Sequence, residues 1–481
     1  MSCPTKADVV VIGGGHNGLV CAAMLAQKGR NTVLLDSQSH WGGIAASHTA
    51  EGGFLSPGVL HDTSRLRPKV IDALALTKRH GLVLGERPAV AVPRVGKSPL
   101  ILRGNECEGA DGGDAAAYRS FRATIERYAK VFSRVVDTEP PNITGARVTG
   151  LWDALLTGWA LRRLGSDALY EFLRLPPMPV QDWMMELFED DVLRAAVAFP
   201  ILVGGHVGPR APGTVAALLL EECTANRSVV GGPRALIQSL VSACTHHNVS
   251  MHTDSDVRRI ECKNGRVHGV LLADGTRIET PVVVATCDPK ITFGSLISPP
   301  EAGPKIMDAV THFRARGTTA KVHLRVRGAC TFDGVSDSAV KTLRLVGGLD
   351  AMEQASDALK YHAWTPAPPM EAKAYPIEGD DESHVLSILL GYVSKDGTDR
   401  WSDAERDRLA DETIARLAFC VPDLANRVMS REVLTADDLA VKYRLAHGHP
   451  YQGEHALDQL LFMRPASDCP NHTTPIDGLY L

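Results

Sequence analysis

The sequence predicts an α/β fold whose parallel sheet is assembled from separate parts of the chain. A β-branched apolar run at residues 7–12 is followed by a glycine-rich turn, an amphipathic stretch over 19–27 and a second apolar run at 32–35. Strand and hairpin signals return over 249–285, after a long stretch of helical pattern. The chain has 481 residues, which is too long for one ordinary core. We therefore expect two domains, one of them discontinuous in sequence.

The turn that follows the first apolar run has the pattern G-x-G-x-x-G. In such a turn Gly13 permits the tight bend, Gly15 lets the backbone approach a pyrophosphate, and Gly18 lets the next helix lie close to the sheet. His16 and Asn17 lie inside the turn, where unpaired N–H groups at a helix N-terminus attract phosphate. We interpret His16 as a packing or hydrogen-bonding residue rather than a catalyst. Because strands and a helix frame it, the motif predicts a Rossmann-type dinucleotide-binding unit.

An acidic residue, Asp36, ends the second apolar run and follows Gly18 by eighteen residues. A carboxylate there accepts hydrogen bonds from ribose hydroxyls and repels a 2′-phosphate, so it predicts FAD or NAD rather than NADP. Gly42 and Gly43 lie just beyond it. In flavoproteins of the amine oxidase and carotenoid desaturase type, a glycine pair at this place lets backbone lie against the cofactor diphosphate. The pair therefore favours FAD over NAD.

The composition argues against several classes of partner and location. Hydrophobic residues make up 44% and charged residues 22% of the chain, which are ordinary globular values. The net charge is −5 and no cluster of five or more Lys and Arg occurs, which argues against nucleic acid as the main partner. The ten cysteines form no C-x-x-C and predict buried or incidental thiols in a reducing compartment. We expect neither a targeting peptide nor a transmembrane span, and hence a cytoplasmic protein. Peripheral membrane contact stays open.

The middle of the chain is mostly helical in pattern. Helices are predicted over 68–80, over 115–136 with Asp114 as the cap, and over 152–199 with proline interruptions, while 106–114 is predicted to be a surface loop. The last helical region carries a set of large apolar side chains, which are Trp152, Trp159, Trp183, Met184, Met185, Leu187 and Phe188. These side chains are interpreted as helix core, with the wall of an apolar substrate cavity as the alternative.

Strand signals dominate the stretch that follows. After a helix over 235–246, strands are predicted at 249–252, 257–262, 267–272 and 278–285, and the dipeptides Asn-Gly and Asp-Gly between them predict hairpin turns. Further elements are strands near 321–326 and 384–392 and a helix over 403–419.

These elements divide the chain between two domains. The Rossmann-type FAD-binding domain takes residues 1–75, 230–300 and 440–481, and an inserted α+β substrate domain takes residues 76–229 and 301–439.

Several stretches together resemble the phytoene desaturase-like FAD-dependent oxidoreductases, and within them the branch named for a pyridine nucleotide-disulfide oxidoreductase domain. The matching stretches are VVVIGGGHNGLVCAAMLA, GGPRALIQSL, the meander VRRI…NGRVHGVLLADG, VVVATCDP and GEHALDQLLFMRP. The resemblance implies an amine oxidase/carotenoid desaturase-like architecture. It implies that FAD is held at the positions of Gly13, Gly15, Gly18, Asp36 and Gly43. It also implies that the backbone of Val257 meets the adenine, and that Asp36 replaces a glutamate that is usual in the family.

The resemblance also implies an activity, which is oxidation of a lipophilic, often polyunsaturated, substrate with the flavin as hydride acceptor. A redox-neutral isomerase that uses reduced flavin is the alternative among enzymes. In the family, the segment that matches residues 478–481 leads into a glycine-rich stretch that covers the flavin, and this sequence ends at Leu481. Weak FAD binding is therefore expected, and a non-catalytic binding or regulatory protein of the same fold also stays open.

Few catalytic side chains are expected, because a flavin itself performs the chemistry and the protein orients it. Without a second G-x-G-x-x-G after a strand, we expect electrons to leave for oxygen or a quinone. Arg464 is the one catalytic candidate, as a group that steadies negative charge on reduced flavin or holds a substrate head group, with a surface ion pair as the alternative. The spacing of His447, His449, Glu454 and His455 fits no zinc pattern, so no metal site is expected.

Overall fold

The computed structural model describes residues 3–137, 151–361, 363–365, 367–377, 379–393, 400–460, 463–466, 469 and 472–481. Its strands, numbered in chain order, are β1 Val9–Ile12, β2 Thr32–Leu35, β3 His48–Thr49, β4 Leu55–Ser56, β5 Leu84–Gly85, β6 Val90–Arg94, β7 Lys97–Arg103, β8 Glu106–Glu108, β9 Ser228–Val229, β10 Ser250–His252, β11 Val257–Lys263, β12 Arg266–Leu272, β13 Arg277–Glu279, β14 Val283–Ala285, β15 Thr319–Arg327, β16 Thr342–Leu345, β17 Met370–Ile377, β18 Asp380–Gly391, β19 Val428–Leu434 and β20 Leu479–Tyr480.

The α-helices are numbered in the same way. They are α1 His16–Gln27, α2 Pro68–Ala73, α3 Leu76–Arg79, α4 Gly112–Asp137, α5 Leu151–Arg162, α6 Ser166–Arg174, α7 Val180–Leu187, α8 Asp191–Ala198, α9 Ile201–Gly204, α10 Thr214–Thr224, α11 Gly232–His246, α12 Pro289–Ile291, α13 Pro299–Ala302, α14 Pro304–His312, α15 Leu349–Leu359, α16 Asp403–Leu417, α17 Leu424–Arg427 and α18 Ala436–Lys442. Short helices of other types lie at Gly43–Ala45, Thr292–Leu296 and Leu457–Gln459.

The structure contains two groups of packed layers, which we call layer systems. The first is built on a five-stranded parallel sheet with the order β10-β2-β1-β14-β20. Alternate side chains of a strand point to opposite faces of its sheet. Accordingly Val9 and Val11 pack against helices α1 and α11, whereas Val10 and Ile12 pack against the three-stranded sheet β11-β12-β13. The strands of this sheet come from three stretches that are far apart in the chain, as the sequence predicts. The division into domains itself stays a prediction.

An eight-stranded sheet organises the second layer system, with the order β19-β15-β18-β17-β16-β6-β7-β8. It is antiparallel except where β16 lies parallel to β6. One face packs against helices α4, α7, α8, α10 and α15, and the other face packs against α16. The chain thus combines a parallel sheet and a mostly antiparallel sheet, each packed against other elements.

Several element boundaries differ from those that the sequence predicts. The helix expected over 68–80 is two short helices, because Ala75 adopts a left-handed φ of 51° between them. The strand expected over 278–285 is divided between β13 and β14, which belong to different sheets. The helical region expected over 152–199 forms α5 to α8. The sequence also predicts that Pro140-Pro141 ends the helix expected over 115–136, and this pair lies outside the described residues.

Two further expectations near α4 are wrong. Residues 106–114 are not a loop throughout, because β8 extends the hairpin of β6 and β7 at the edge of the large sheet. Asp114 does not cap α4, which begins at Gly112. Its carboxylate instead accepts hydrogen bonds from the backbone N–H groups of Glu189 at 2.7 Å and Asp190 at 2.8 Å. Tertiary contact between α4 and the start of α8 therefore decides the role of this acid.

Candidate functional site: a dinucleotide cavity and an inner chamber

A cavity of about 560 Å³ opens at the carboxyl ends of β1, β2 and β14. Ligands of open α/β sheets bind at this edge, and cofactor sites commonly have volumes of about 300–1,000 Å³. We call it the dinucleotide cavity. It brings together most of the binding residues that the sequence predicts, which are Gly13, Gly15, His16, Asn17, Gly18, Asp36, Gly43 and Val257.

The three motif glycines have different surroundings. A Cβ atom on Gly18 would lie 1.8 Å from the carbonyl oxygen of Gly13, so only glycine lets helix α1 approach the turn. Gly13 has a φ of +102°, which L side chains rarely adopt. A Cβ atom on Gly15, by contrast, would meet nothing closer than the Cα atom of Gly43 at 4.0 Å, and it would project into the cavity. The turn therefore leaves a bare backbone facing the space that a pyrophosphate requires.

Asp36 is held in a fixed orientation beside this turn. Its Oδ2 accepts a hydrogen bond from the backbone N–H of Gly14 at 2.5 Å, and its Oδ1 accepts one from the N–H of Gln38 at 2.7 Å. Burial raises the pKa of this carboxyl, against the opposing effect of the two backbone bonds. Each oxygen of a carboxylate keeps further lone-pair capacity after one bond, so ribose hydroxyls can still donate to it. The arrangement fits a ribose with a free 2′-hydroxyl.

The glycine pair contributes unequally to the cavity. The N–H of Gly42 donates to the carbonyl oxygen of Gly14 at 2.8 Å, and both glycines have positive φ values, of 120° and 54°. Gly43 lines the cavity, whereas Gly42 faces helix α11, where a Cβ atom would lie 2.9 Å from Ile237 Cγ1. Gly43 is therefore the member placed to lie against a ligand, and Gly42 joins the loop to the turn.

The cavity lining divides into two groups of residues. One group surrounds Asp36 and contains Val257 and the ion pair of Arg444 with Asp256, whose atoms Nη1 and Oδ1 lie 2.5 Å apart. The other group contains Arg65, whose guanidinium donates to the hydroxyl of Tyr451. The glycine turn lines the same cavity, so a bound dinucleotide has one group available for each of its ends.

His16 belongs to the second group. Burial and, to a smaller extent, the charge of Arg65 lower the pKa of its imidazole to about 4. The ring is therefore neutral near pH 7, which agrees with the packing or hydrogen-bonding role that the sequence suggests.

The catalytic candidate Arg464 does not line the cavity. Its Nη2 donates to the carbonyl oxygen of Tyr451 at 2.5 Å and its Nη1 to that of Gly453 at 3.2 Å, and its guanidinium lies 5.6 Å from the ring centre of Phe313. Burial lowers its pKa, against the charge of Asp288. Through these hydrogen bonds Arg464 stabilises the loop that carries Tyr451. A catalytic role for Arg464 stays a prediction.

A second, smaller cavity of about 80 Å³ adjoins the dinucleotide cavity, and we call it the inner chamber. The two share Ile44, Leu60, Asp62, Pro450 and Tyr451 as lining residues. The chamber lies between this shared wall and the large sheet, which contributes Thr319, Arg344, Glu371 and Leu389. A group that enters the chamber would therefore meet whatever lies at the Tyr451 end of the dinucleotide cavity.

Charged side chains surround the inner chamber, and we call this set the charged network. Its cations are Arg65, Arg87, Arg122, Arg344 and Lys373, and its carboxylates are Asp62, Glu221, Glu222 and Glu371. The ion pairs are short, with Arg65 Nη1 2.7 Å from Glu221, Arg87 Nη1 2.8 Å from Glu222 and Arg344 Nη2 2.5 Å from Glu371. Buried charges persist only when paired in this way.

His61 links the network to a buried lysine. Its Nε2 lies 3.2 Å from Glu371 Oε1, and its Nδ1 accepts from Lys321 Nζ at 2.8 Å. Lys321 also donates to Ser387 Oγ at 2.7 Å. Burial lowers the pKa of His61 to about 3 and lowers that of Lys321 well below its usual range, aided by the charge of Lys373 in both cases. Both groups are therefore poor carriers of positive charge here.

Two carboxylates of the network differ in their acidity. Burial raises the pKa of Asp62, but the charges of Lys373 and Arg87 and the bonds from Ser64 outweigh it and bring the value to about 2. For Glu221 burial wins over the charge of Arg65, and its pKa rises to about 7. One carboxylate therefore stays ionised near neutral pH while the other exchanges a proton, a pairing that recurs in acid–base sites.

Sequence reasoning missed this network. The signal was present in helix α10, whose sequence TVAALLLEECT places Glu221 and Glu222 in an otherwise apolar stretch, and both are buried. Acidic residues almost never lie fully buried without a partner. The partners could not be named from the sequence, because Arg65, Arg87 and Arg122 precede the glutamates that they contact by 156, 135 and 100 residues.

The apolar set expected on the helical region is mainly core. Trp183, Met184 and Phe188 belong to the hydrophobic core between the helices and the large sheet. Trp159 and Met185 are exposed, and the side chain of Trp152 lies outside the described residues. The chamber takes only Phe199 and Pro200 from this part of the chain. The helix-core interpretation therefore accounts for the set better than an apolar cavity wall does.

A family model described as flavin containing amine oxidoreductase matches residues 18–471. The chain belongs to this family. As a class it is an FAD-dependent oxidoreductase, and the resemblance to phytoene desaturase-like proteins noted from the sequence is confirmed.

Named relatives and a solved structure agree with this membership. Pyridine nucleotide-disulfide oxidoreductase domain-containing protein 2 of Rattus norvegicus is 27% identical over 521 residues, which cover 98% of this chain and 89% of the relative. Phytoene desaturase (neurosporene-forming) of Rhodobacter capsulatus is 24% identical over 509 residues, covering 98% and 88%. The structure of a putrescine oxidase variant matches with a TM-score of 0.61 at 14% identity, covering 99% of this chain and 92% of that one, which shows the shared fold.

Two further observations concern location and redox state. Within the described residues, no helix has both the length and the apolar character that crossing a membrane requires. All ten cysteines lie within the described residues, and none of them is joined to another by a disulfide bond.

Proposed function

We propose that the protein holds FAD in the dinucleotide cavity and that a substrate is dehydrogenated where this cavity meets the inner chamber. The observation that carries the proposal is the turn at Gly15, which presents bare backbone to the cavity with Asp36 fixed beside it. When bound, FAD accepts a hydride equivalent from an organic substrate. The residues of this chain bind and orient the cofactor and the substrate and shield them from water.

The roles of the lining residues follow from their positions. The backbone from Gly13 to Gly18 and the N-terminus of α1 hold the pyrophosphate, with Gly43 on its other side. Asp36 accepts from the ribose of the adenosine, and the backbone of Val257 borders the adenine. The flavin end then lies near Arg65 and Tyr451, at the wall of the inner chamber. Membership of the flavin containing amine oxidoreductase family supports FAD over NAD.

Two classes of substrate are consistent with family membership. A lipophilic, polyunsaturated substrate is favoured by the resemblance and by the relative whose name is phytoene desaturase. A small polar substrate is favoured by the charged side chains that line the inner chamber. The redox-neutral isomerase stays an alternative reaction at the same site.

The proposal is tested by cofactor binding. Protein that is supplied with FAD is expected to be yellow and to lose its colour with dithionite. The apoprotein is expected to bind FAD more tightly than NAD, and NADP least of all, in calorimetric titrations. Gly15→Val should weaken FAD binding by about a hundredfold or more, which corresponds to about 2.8 kcal/mol. It should leave the fold intact, because its backbone has an extended conformation with φ −66° and ψ 175°.

The matched control is Gly113→Val, which lies on an exposed turn of α4 with open space around it. It should bind FAD as the unaltered protein does. Tighter binding of NADP than of FAD, or unchanged FAD binding by Gly15→Val, would show that the glycine turn is not the phosphate site of this protein.

A further inference from the structure

We infer that Glu221 accepts a proton from a substrate hydroxyl in the inner chamber, and that the substrate is a small alcohol oxidised at the carbon that bears this hydroxyl. The inference rests on the proposed function, since it requires FAD in the dinucleotide cavity. It favours the polar class of substrate over the polyunsaturated one, and it names Glu221 as the residue that accepts the proton.

The size and lining of the inner chamber carry the first step. Its volume of about 80 Å³ is far below the roughly 300–1,000 Å³ of common ligand sites, so it admits a small group and not a long chain. Charged groups of the network line it on several sides, including Asp62, Arg87 and Arg344. A hydrocarbon chain placed there would cover these groups without replacing their hydration, which is unfavourable. A small polar group supplies hydrogen bonds in place of water.

The position of Glu221 carries the second step. It lines the chamber, and its Oε1 accepts from Arg65, which in turn donates to Tyr451 in the wall shared with the dinucleotide cavity. Its carboxylate is therefore linked by two hydrogen bonds to the place where the flavin end lies. Asp62 also faces both cavities, and its negative charge favours the protonated form of Glu221.

The charge balance of the network distinguishes an alcohol from an amine. The network contains five cations and four carboxylates, so it carries a net positive charge when all are ionised. A protonated amine would add another positive charge to this low-dielectric site and is disfavoured. A neutral hydroxyl adds none.

The reaction balances without further reactants. The O–H bond of the substrate breaks, its proton passes to the Glu221 carboxylate, and its electron pair forms the second bond of the carbonyl group. The C–H bond at the same carbon breaks, and its hydrogen leaves with both electrons to oxidised FAD. The products are a carbonyl compound, protonated Glu221 and reduced cofactor.

The substrate class is tested by anaerobic mixing of the FAD-bound protein with glycerol, lactate, 2-butanol and, separately, phytoene in detergent. Loss of the oxidised-flavin absorbance with at least one of the three alcohols is expected, and phytoene should have no effect. Reduction by none of the alcohols would overturn the inference. Reduction of bound FAD by phytoene alone would also overturn the inference, but it would leave the proposed function intact. Absence of bound FAD would contradict the proposed function itself.

The role of Glu221 is tested with a variant of matched shape. Glu221→Gln should retain FAD and lower the rate constant of flavin reduction by about 100-fold or more. The control is Glu432→Gln, because Glu432 is equally buried, with 9% exposure for each residue, but lies outside both cavities and contacts His48. The control should keep the full rate. An unchanged rate in Glu221→Gln would remove the residue from the reaction.

A measurement on the apoprotein completes the test independently of turnover. The groups that face Glu221 are Asp62, Arg65, Arg87, Glu222, Tyr451 and His455. Of the carboxyls among them, Asp62 and Glu222 have a lowered pKa, so infrared titration near pH 7 should show one carboxyl band that Glu221→Gln lacks. The reduction rate should rise with pH through the same range, because only the ionised carboxylate accepts a proton. Absence of the band from the unaltered protein would contradict the inference. Glu221→Asp keeps the carboxyl, so it should retain both the infrared band and the rise of the reduction rate with pH.

Discussion

Single residues at the glycine turn have separable functions. Gly18 is required by the fold, because its missing side chain admits the carbonyl oxygen of Gly13. Under the proposed function Gly15 is required by the ligand, because the space beside it is the cavity itself. The motif alone assigns both to dinucleotide binding, and only the surroundings of each Cα atom separate the two requirements.

The substitution Gly18→Ala is expected to destabilise the protein itself. A Cβ atom 1.8 Å from a backbone oxygen forces helix α1 away from the sheet, and such overpacking typically costs about 1–3 kcal/mol. Urea unfolding of the apoprotein measures the loss. Gly15→Val should unfold at the same urea concentration as the unaltered apoprotein, so equal loss of stability in both variants would contradict this separation.

At the scale of elements, the hairpin between β11 and β12 is the one that the sequence specifies most directly. Asn264 and Gly265 have φ values of 53° and 72°, the left-handed pair that a two-residue hairpin requires. The carbonyl oxygen of Gly265 also accepts from the N–H of Asp477 at 2.9 Å. The turn therefore connects the small antiparallel sheet to the segment that precedes β20.

The substitution Gly265→Val is expected to lower the free energy of unfolding by about 1–2 kcal/mol, which is the cost of a left-handed conformation for an L side chain. A Cβ atom there meets no atom within 4 Å, so no clash contributes. Thermal unfolding measures the effect, with Gly113→Val as the control for an exposed valine. An unchanged midpoint would mean that the turn readily adopts another conformation.

In helix α10, the carboxylates proposed for function oppose the apolar burial that stabilises the helix. The buried carboxylates of Glu221 and Glu222 reduce the free energy that is gained by burying the apolar side chains of the helix, unless arginines from other elements pair with them. Those arginines come from loops and from α4, so the helix is completed only when the two layer systems meet. An element that depends on its partners to this degree is typical of a functional site.

At the scale of the whole molecule, buried histidines make stability depend on pH. The pKa values of His16 and His61 lie at about 4 and about 3 in the folded protein, below the usual value of 6.5, and burial is the main cause of each. The unfolded chain therefore binds these two protons first as pH falls below 6.5. Glu221 opposes them, because its pKa of about 7 lets the folded state bind one proton first.

Acidification from pH 6.5 to 4.5 is therefore expected to destabilise the apoprotein. Near the middle of this range the unfolded state holds two protons on these histidines and the folded state holds one on Glu221, so for these three groups the net difference of one proton gives a loss of about 1.4 kcal/mol per pH unit. Burial also lowers the pKa of His323 and His455 well below the usual range, which adds to the loss. Urea unfolding at several pH values measures the slope. Glu221→Gln removes the opposing proton and should steepen it, and a rise in stability on acidification would contradict the assignment.

The sequence by itself determined the dinucleotide-binding unit and the flavoenzyme fold, because these depend on local patterns. A glycine turn, a β-branched strand and an Asn-Gly hairpin each fix backbone geometry within a few residues, so Gly13, Gly15, Gly18 and Asp36 could be placed at one site from spacing alone. The position of Gly43 rather than Gly42 in the cavity wall could not be predicted in this way, since it depends on which glycine meets helix α11.

Only the tertiary structure decided the inner chamber and its charged network. Glu221 meets Arg65, and His61 meets Glu371 and Lys321, across 156, 310 and 260 residues of chain. No local periodicity records such pairs, because their geometry is set by how the large sheet docks against the parallel one. For the same reason Arg464, which the sequence offers as a catalyst, is found bound to backbone carbonyls of the neighbouring loop. Local sequence fixes backbone shape, whereas the electrostatics of a buried site arise only when distant segments are brought together.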